Sequence, residues 1–363
     1  MPRTLRRILA AAVACLAVFA LDALVFRTRY YPAYLDPNSA AGTFEMILWR
    51  ERQAQQKLGD NVAVTLGDSR FGIVPKLSNR LTPETGYVFR SAGVAGTDAR
   101  AWYYMLRDLD PQANRYRAIL LGVDNYSDQD IPSEPDIDVR AIYFSIARLR
   151  VTDAFDLMNS YRGYDLRLRA LRGAFFKGII YQNDFHEFLA NPRKRIREVR
   201  FDRSGNEEWT YNYLGDEGSL TGLTIDWDTL TAQFPASFSP YQRDTVKNFL
   251  LWKPEPQTGR LAAFRREWFG RIITRYRNSR TKIIFVRLPR GPIPRPPQLT
   301  RPAGSVIREF AAQPGVLMMD EHVFEPIEDP EYFRDAMHMN KAGVAIFSDL
   351  IARETGRMLG APR

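Results

Sequence analysis

The sequence predicts an α/β protein: a doubly wound, five-stranded parallel sheet, interrupted by a long, mainly helical insertion and preceded by a transmembrane helix. Three observations carry that reading. Short apolar runs alternate with helix-like stretches toward both ends of the chain but not in its middle. A Gly67-Asp68-Ser69 turn follows directly on the first of those runs. An apolar stretch, Ile8 to Phe26, occupies the amino terminus with Asp22 as its only charge.

That first stretch is flanked by Arg3, Arg6 and Arg7 before it and by Arg27 and Arg29 after it. About 20 apolar residues span a bilayer as a helix, so the length suffices. Arginines on the leading side predict a cytoplasmic start and an extracytoplasmic remainder. Residues 1–29 are therefore expected to anchor the chain in the inner (cytoplasmic) membrane by a single pass, with the rest in the periplasm. Asp22, near the outer end, is expected to reach toward the interface. A cleaved signal peptide is the alternative, but no small-x-small site precedes a polar start.

Residues 30–42 read as a turn-rich stalk, and 43–58 carry apolar positions at helical spacing. Residues 61–66 form a short apolar strand running straight into Gly67-Asp68-Ser69, 87–91 a second, and 118–123 a third, with a helix over 98–109 between the last two. The alternation then stops. Residues 126–255 hold basic helix-like stretches and aromatic, glycine-rich segments such as 209–222, and read as one insertion. Alternation resumes with a helix at 258–278, a strand at 282–286, a Pro-rich loop at 288–302, a helix at 303–312, a strand at 316–320 and a last helix at 341–359. The α/β domain is thus expected in two parts, 30–125 and 256–363. Buried strands alternating with helices make a parallel sheet covered on both faces, with ligands beyond the carboxyl ends of the strands.

Composition narrows the function classes. The 363 residues are 45% hydrophobic and 26% charged, an ordinary globular mixture, with a formal net charge of +9. The excess favours an anionic membrane surface or an acidic glycan. No zinc-ligand spacing or RNP-like strand accompanies it, so nucleic acid is not expected. The single cysteine, Cys15, forbids an internal disulfide, and with only three histidines no metal site and no cofactor is expected.

A serine hydroxyl becomes a useful nucleophile when an imidazole accepts its proton and a carboxylate orients that imidazole. Ser69 ends the first strand, and Asp335-Ala-Met-His338 lies just before the last helix. In a doubly wound domain these two ends of the chain meet on the active face. His322, after the fifth strand, is a possible substitute base, and His186 lies inside the insertion. Arg70, Arg287 and Arg290 stand at strand ends, where they are candidates for binding an anionic substrate.

The first block, Gly67-Asp68-Ser69-Arg70, and the last, Asp335-Ala-Met-His338-Met-Asn340-Lys-Ala-Gly343, together resemble the SGNH (GDSL-like) hydrolases over about 60–125 and 280–358. The resemblance implies Ser69 as nucleophile, His338 as general base and Asp335 as its orienting partner. It also implies backbone N–H donors for the oxyanion at Ser69 and at Gly93, in Gly93-Val-Ala-Gly96. The third block departs from the family pattern: Gly122-Val-Asp-Asn125 puts Asp124 where the family carries an oxyanion-binding asparagine. Either Asn125 supplies that donor from one residue on, or backbone donors act alone.

Single-pass proteins with such a domain resemble the accessory subunits of membrane-bound O-acyltransferases. The expectation is therefore a serine acyltransferase or esterase acting on O-acyl groups of a cell-surface or exported polysaccharide, with a membrane-bound O-acyltransferase as a possible partner. The aromatic and basic residues of 126–255 suit a glycan cap. A membrane-held carboxylester or lipid hydrolase and a non-catalytic scaffold of an envelope-polymer machine are the alternatives.

Overall fold

The computed structural model describes residues 2–28, 30–71, 74–129, 142–144, 148–203, 218–253, 258–296 and 303–360. Residues 209–217 of the aromatic segment and 297–302 of the Pro-rich loop lie outside the described residues. The chain divides into two compact units, one of residues 1–50 and 135–206, the other of 51–134 and 207–363. This division differs from the expected boundaries. The stretch read as one insertion is shared between the units, and residues 30–50 go with its first part rather than with the sheet.

The larger unit is built on five parallel strands, β1 (Val62–Leu66), β2 (Val88–Ser91), β3 (Ala118–Val123), β4 (Lys282–Arg287) and β5 (Val316–Met318). Their order across the sheet is β2-β1-β3-β4-β5. Leu66 pairs with Leu121, and Val123 with Arg287. The order reverses direction at β1 and β3, whose carboxyl ends therefore flank the crevice where doubly wound folds bind ligands. Every residue of β1 and β3 is buried, as expected for strands covered on both faces.

Alternate side chains feed two layers. On one face Ala63, Leu120 and Ile284 join Phe71, Phe347 and Ile351, the last two from the helix Lys341–Leu359. On the other, Phe285 meets Phe269 edge-on at 5.0 Å, and Trp102 stacks on Phe269 at 6.4 Å. Those two aromatics belong to the helices Ala99–Leu109 and Arg260–Tyr276. A two-stranded antiparallel hairpin, Thr224–Asp226 with Thr231–Gln233, and the helix Pro240–Phe249 complete this unit's share of the middle segment.

In the smaller unit the helix Arg3–Asp22 runs on in π form through Ala23–Arg27. It is long and apolar enough to cross a membrane. The unit's described residues also hold the first part of the helix Ala40–Gln55 and the helices Ala154–Ser160, Tyr164–Phe175, Lys177–Ala190 and Pro192–Arg203. Asp22 does not reach outward as expected. It is buried and accepts the backbone N–H groups of Lys177 (3.0 Å) and Gly178 (2.6 Å), capping a helix that starts there.

Candidate functional site

The turn after β1 is shaped by its own side chains. Asp68 accepts the backbone N–H of Arg70 at 2.9 Å, and Phe71 N–H closes on the Asp68 carbonyl at 3.2 Å. Phe71 then folds back under the strand ends. A Cβ on Gly67 or on Gly122 would lie 2.7 Å from its side chain, so both positions demand glycine. The turn holds Ser69 at the carboxyl edge of the sheet.

The loop before the last helix is held just as closely. Asn340 caps that helix by accepting Gly343 N–H at 3.0 Å, and its amide donates to the Glu331 carbonyl at 2.6 Å. Gly343 has no room for a side chain, because a Cβ would stand 2.5 Å from the Tyr332 carbonyl oxygen. Arg334 N–H donates to the His338 carbonyl at 3.0 Å, and Phe333 bridges Met339, which closes a short β-turned loop. Inside it the buried Asp335 accepts the N–H groups of Met337 and His338, each at 2.8 Å.

These two structures meet. Ser69 Oγ lies 2.8 Å from His338 Nε2, and His338 Nδ1 lies 3.1 and 3.0 Å from the two Asp335 carboxylate oxygens. Burial disfavours the charged form of Asp335. The His338 hydrogen bond, its charge and the two backbone N–H groups outweigh that, and hold the carboxyl below its ordinary value. An ionised carboxylate on Nδ1 keeps the proton there and leaves Nε2 as an acceptor toward Ser69.

Residues that the sequence did not single out support this loop. Tyr241 Oη donates to Asp335 Oδ2 at 3.3 Å, and Gln242 donates to the Arg334 carbonyl at 3.0 Å. Both come from the helix Pro240–Phe249, inside the stretch read as a cap. The Ser239-Pro-Tyr-Gln242 capping box marks where that helix starts but carries no sign of what it packs against. Gly291, at φ +126°, brings the loop after β4 against Ala336, where a Cβ would be 3.1 Å from the carbonyl oxygen.

Arg70 is the one predicted substrate-binding arginine at the site. It lines a small, largely apolar pocket of about 20 Å³ with Ser69, His338, Pro289, Met337, Met339, Val344 and Phe347. Its guanidinium grips Asp68 at 2.6 and 3.1 Å and also binds Asp124. Burial works against its charge, but Asp124 and Asp68 more than compensate and raise its affinity for the proton. Asp68, opposed by burial, is held ionised mainly by Arg70. The aspartate in the third block therefore carries a bound counter-ion.

Arg287 and Arg290 are placed elsewhere. Arg287 is buried against Glu328, and donates to the Glu321 carbonyl at 2.6 Å. Arg290 binds Glu328 at 2.6 Å and Glu325 at 3.1 Å. Neither lines the pocket, because the buried Glu328 draws both guanidinium groups to itself. His322 is exposed and bonded to Glu325 at 2.8 Å. Asn125 gives its carbonyl to Arg265 at 2.8 Å, and its side-chain Oδ1 is buried without a hydrogen-bond partner among the described residues. It does not line the pocket beside Ser69. Gly93 lies with its backbone on that of Gly67, where a Cβ would be 3.0 Å from the carbonyl oxygen. Among the described residues no cluster of three or more metal-ligating side chains occurs. A larger hollow of about 620 Å³, lined by Glu51, Asp60, Arg90 and Arg280 among others, opens at the amino-terminal edge of the strands, away from Ser69.

No protein-family model matches the chain, and no curated protein matches it.

Proposed function

We propose that the chain is a membrane-anchored, extracytoplasmic serine esterase or O-acyltransferase of the SGNH type that acts on O-acyl groups of an envelope polysaccharide. The observation that carries this reading is the unbroken hydrogen-bond chain from Ser69 through His338 to Asp335. In the proposed reaction Ser69 Oγ attacks the acyl carbonyl carbon while His338 Nε2 takes the hydroxyl proton. The tetrahedral intermediate then expels the sugar oxygen, which receives that proton from His338, and the acyl group stays on Ser69. Water or an acceptor hydroxyl, deprotonated by the same nitrogen, attacks the acyl-serine and frees the enzyme. The family resemblance implies the backbone N–H groups of Ser69 and Gly93 as oxyanion donors. The inner-membrane anchor and a membrane-bound O-acyltransferase partner belong to the same reading, as does the net charge of +9, which suits an acidic polymer.

The acyl group is short in this proposal. The cleft beside Ser69 is small, about 20 Å³, which favours a short acyl chain over a long one. Full-length protein in detergent is to be assayed with p-nitrophenyl acetate, butyrate and octanoate, with and without an oligosaccharide acceptor. Acetate as the best substrate, with loss of activity in Ser69→Ala and His338→Ala, supports the reading, and acceptor-dependent product favours transfer over hydrolysis. Equal inactivity of wild type and both variants with every donor would leave the scaffold reading in its place.

A further inference from the structure

The helix Arg3–Asp22 is 20 residues long, which at 1.5 Å per residue is about 30 Å, one bilayer core. With its π-form continuation the helix carries the apolar run from Ile8 to Phe26, so residues packed against its last turns share the depth of that outer end. Residues of the smaller unit pack there. Phe176 meets Phe19 edge-on at 6.1 Å, and Phe19 stands eight residues, about 12 Å, before Arg27 along the helix. Arg27 itself donates to the Phe175 carbonyl at 2.7 Å, while Asp22 caps the helix that begins at Lys177. The approach is close enough that a Cβ on Gly178 would stand 2.9 Å from the Phe26 ring.

The direction of the helix Lys177–Ala190 follows from its partners. Phe176 meets Phe19, Tyr181 meets Phe26 at 5.9 Å, and Phe188 meets Tyr31 at 5.7 Å. The helix therefore climbs away from the apolar end of the anchor, and its first turn is its deepest part. The chain at that depth reads Phe175-Phe-Lys-Gly-Ile-Ile180. Its one charged residue, Lys177, is only 2% exposed, whereas Ile179 is 53% exposed, and Leu21 and Leu24 of the anchor are 62% and 64% exposed. The corner hides its charge and presents apolar side chains, and exposed Arg169 and Arg172 on the preceding helix supply cations for anionic headgroups.

Resting on the anchor reading, we propose that the corner Phe175–Ile180 dips into the outer interface of the phospholipid bilayer as a second, non-spanning membrane contact. Two contacts restrict the tilt of the smaller unit where one helix alone would leave it free to swing.

The test uses full-length protein in nanodiscs of phosphatidylethanolamine and phosphatidylglycerol. A polarity-sensitive fluorophore is attached to Cys15, the only cysteine and exposed on the anchor. The same label is placed by Ile179→Cys or Leu189→Cys in a Cys15→Ser background. Leu189 is exposed ten residues, about 15 Å, further along the climbing helix. Spin-labelled lipids carrying the quencher near the headgroup or at mid-chain report depth. The proposal expects mid-chain quenching at position 15, roughly twofold or greater shallow quenching with a blue shift at 179, and neither at 189. A label at 179 that behaves like the one at 189, while position 15 is quenched, overturns the proposal and leaves the anchor standing. Absence of lipid quenching at position 15 overturns both.

Discussion

Arg70 binds Asp124 and Asp68 at once, so the residue next to the candidate nucleophile ties the end of β3 to the turn after β1. In the proposed SGNH reading position 124 would carry an amide, and a bare carboxylate there would oppose an oxyanion. The ion pair offers a physical reason why the site tolerates the aspartate. Arg70→Met is expected to lower kcat with little change in KM, since an unpaired charge near the reacting carbonyl costs on the order of 1–3 kcal/mol, about fivefold to 150-fold in rate. Adding Asp124→Asn to that variant should restore much of the loss. A double variant no better than Arg70→Met alone would show that Arg70 acts by contact and not by balancing charge.

Asp335 is the group whose substitution tests the orientation of the imidazole. Asp335→Asn keeps the shape of the loop but offers an amide to Nδ1, and a loss of about 10⁴-fold in kcat is expected, as for other triads. Tyr241→Phe, which removes one donor to the same carboxylate, is expected to cost less than about tenfold, consistent with one long hydrogen bond. Steady-state assays at saturating ester distinguish the two.

Gly343→Ala tests the loop mechanically. The added methyl would stand 2.5 Å from the Tyr332 carbonyl oxygen, which is backbone and cannot swing aside. A loss of about 1–3 kcal/mol is expected from overpacking of this kind, measured as a lower midpoint in urea, together with reduced activity because the loop carries Asp335 and His338.

Acid should remove part of the stability through the same carboxylates. Asp335 and Asp68 are held below their ordinary values in the folded chain. Their native interactions therefore contribute in full above the ordinary carboxylate range, and the contribution fades as the pH falls through the depressed native values. Urea midpoints compared between pH 7 and pH 3 should converge for wild type and Asp335→Asn as the pH drops. A constant difference across that range would show that ionisation of Asp335 contributes nothing.

How far the site could be read in advance differs from residue to residue. Ser69, Asp335 and His338 were legible because each stands in a local pattern, at a strand end or before a helix cap, and the topology of a doubly wound sheet brings such ends together. Arg287 and Arg290 show the limit. Arg287 ends β4 and Arg290 follows it, but a guanidinium is long, and the buried Glu328 claims both. The middle segment was least legible. Its helices were expected, yet nothing in their periodicity tells which core they join, so neither the division at 135 and 206 nor the support from Tyr241 and Gln242 could be foreseen.

The sequence alone determined the class of fold, its five strands and the apolar amino-terminal helix, because those follow from short-range patterns of apolar residues, glycines and caps. The helices between the first two strands and the hairpin Thr224–Asp226 with Thr231–Gln233 did not show in it. Only the tertiary structure decided which charges meet. Asp22 went to a helix end 155 residues away and Asp124 to Arg70, 54 residues away. A buried or crowded charge takes whichever partner the packing brings within reach, and that choice is made in space rather than along the chain.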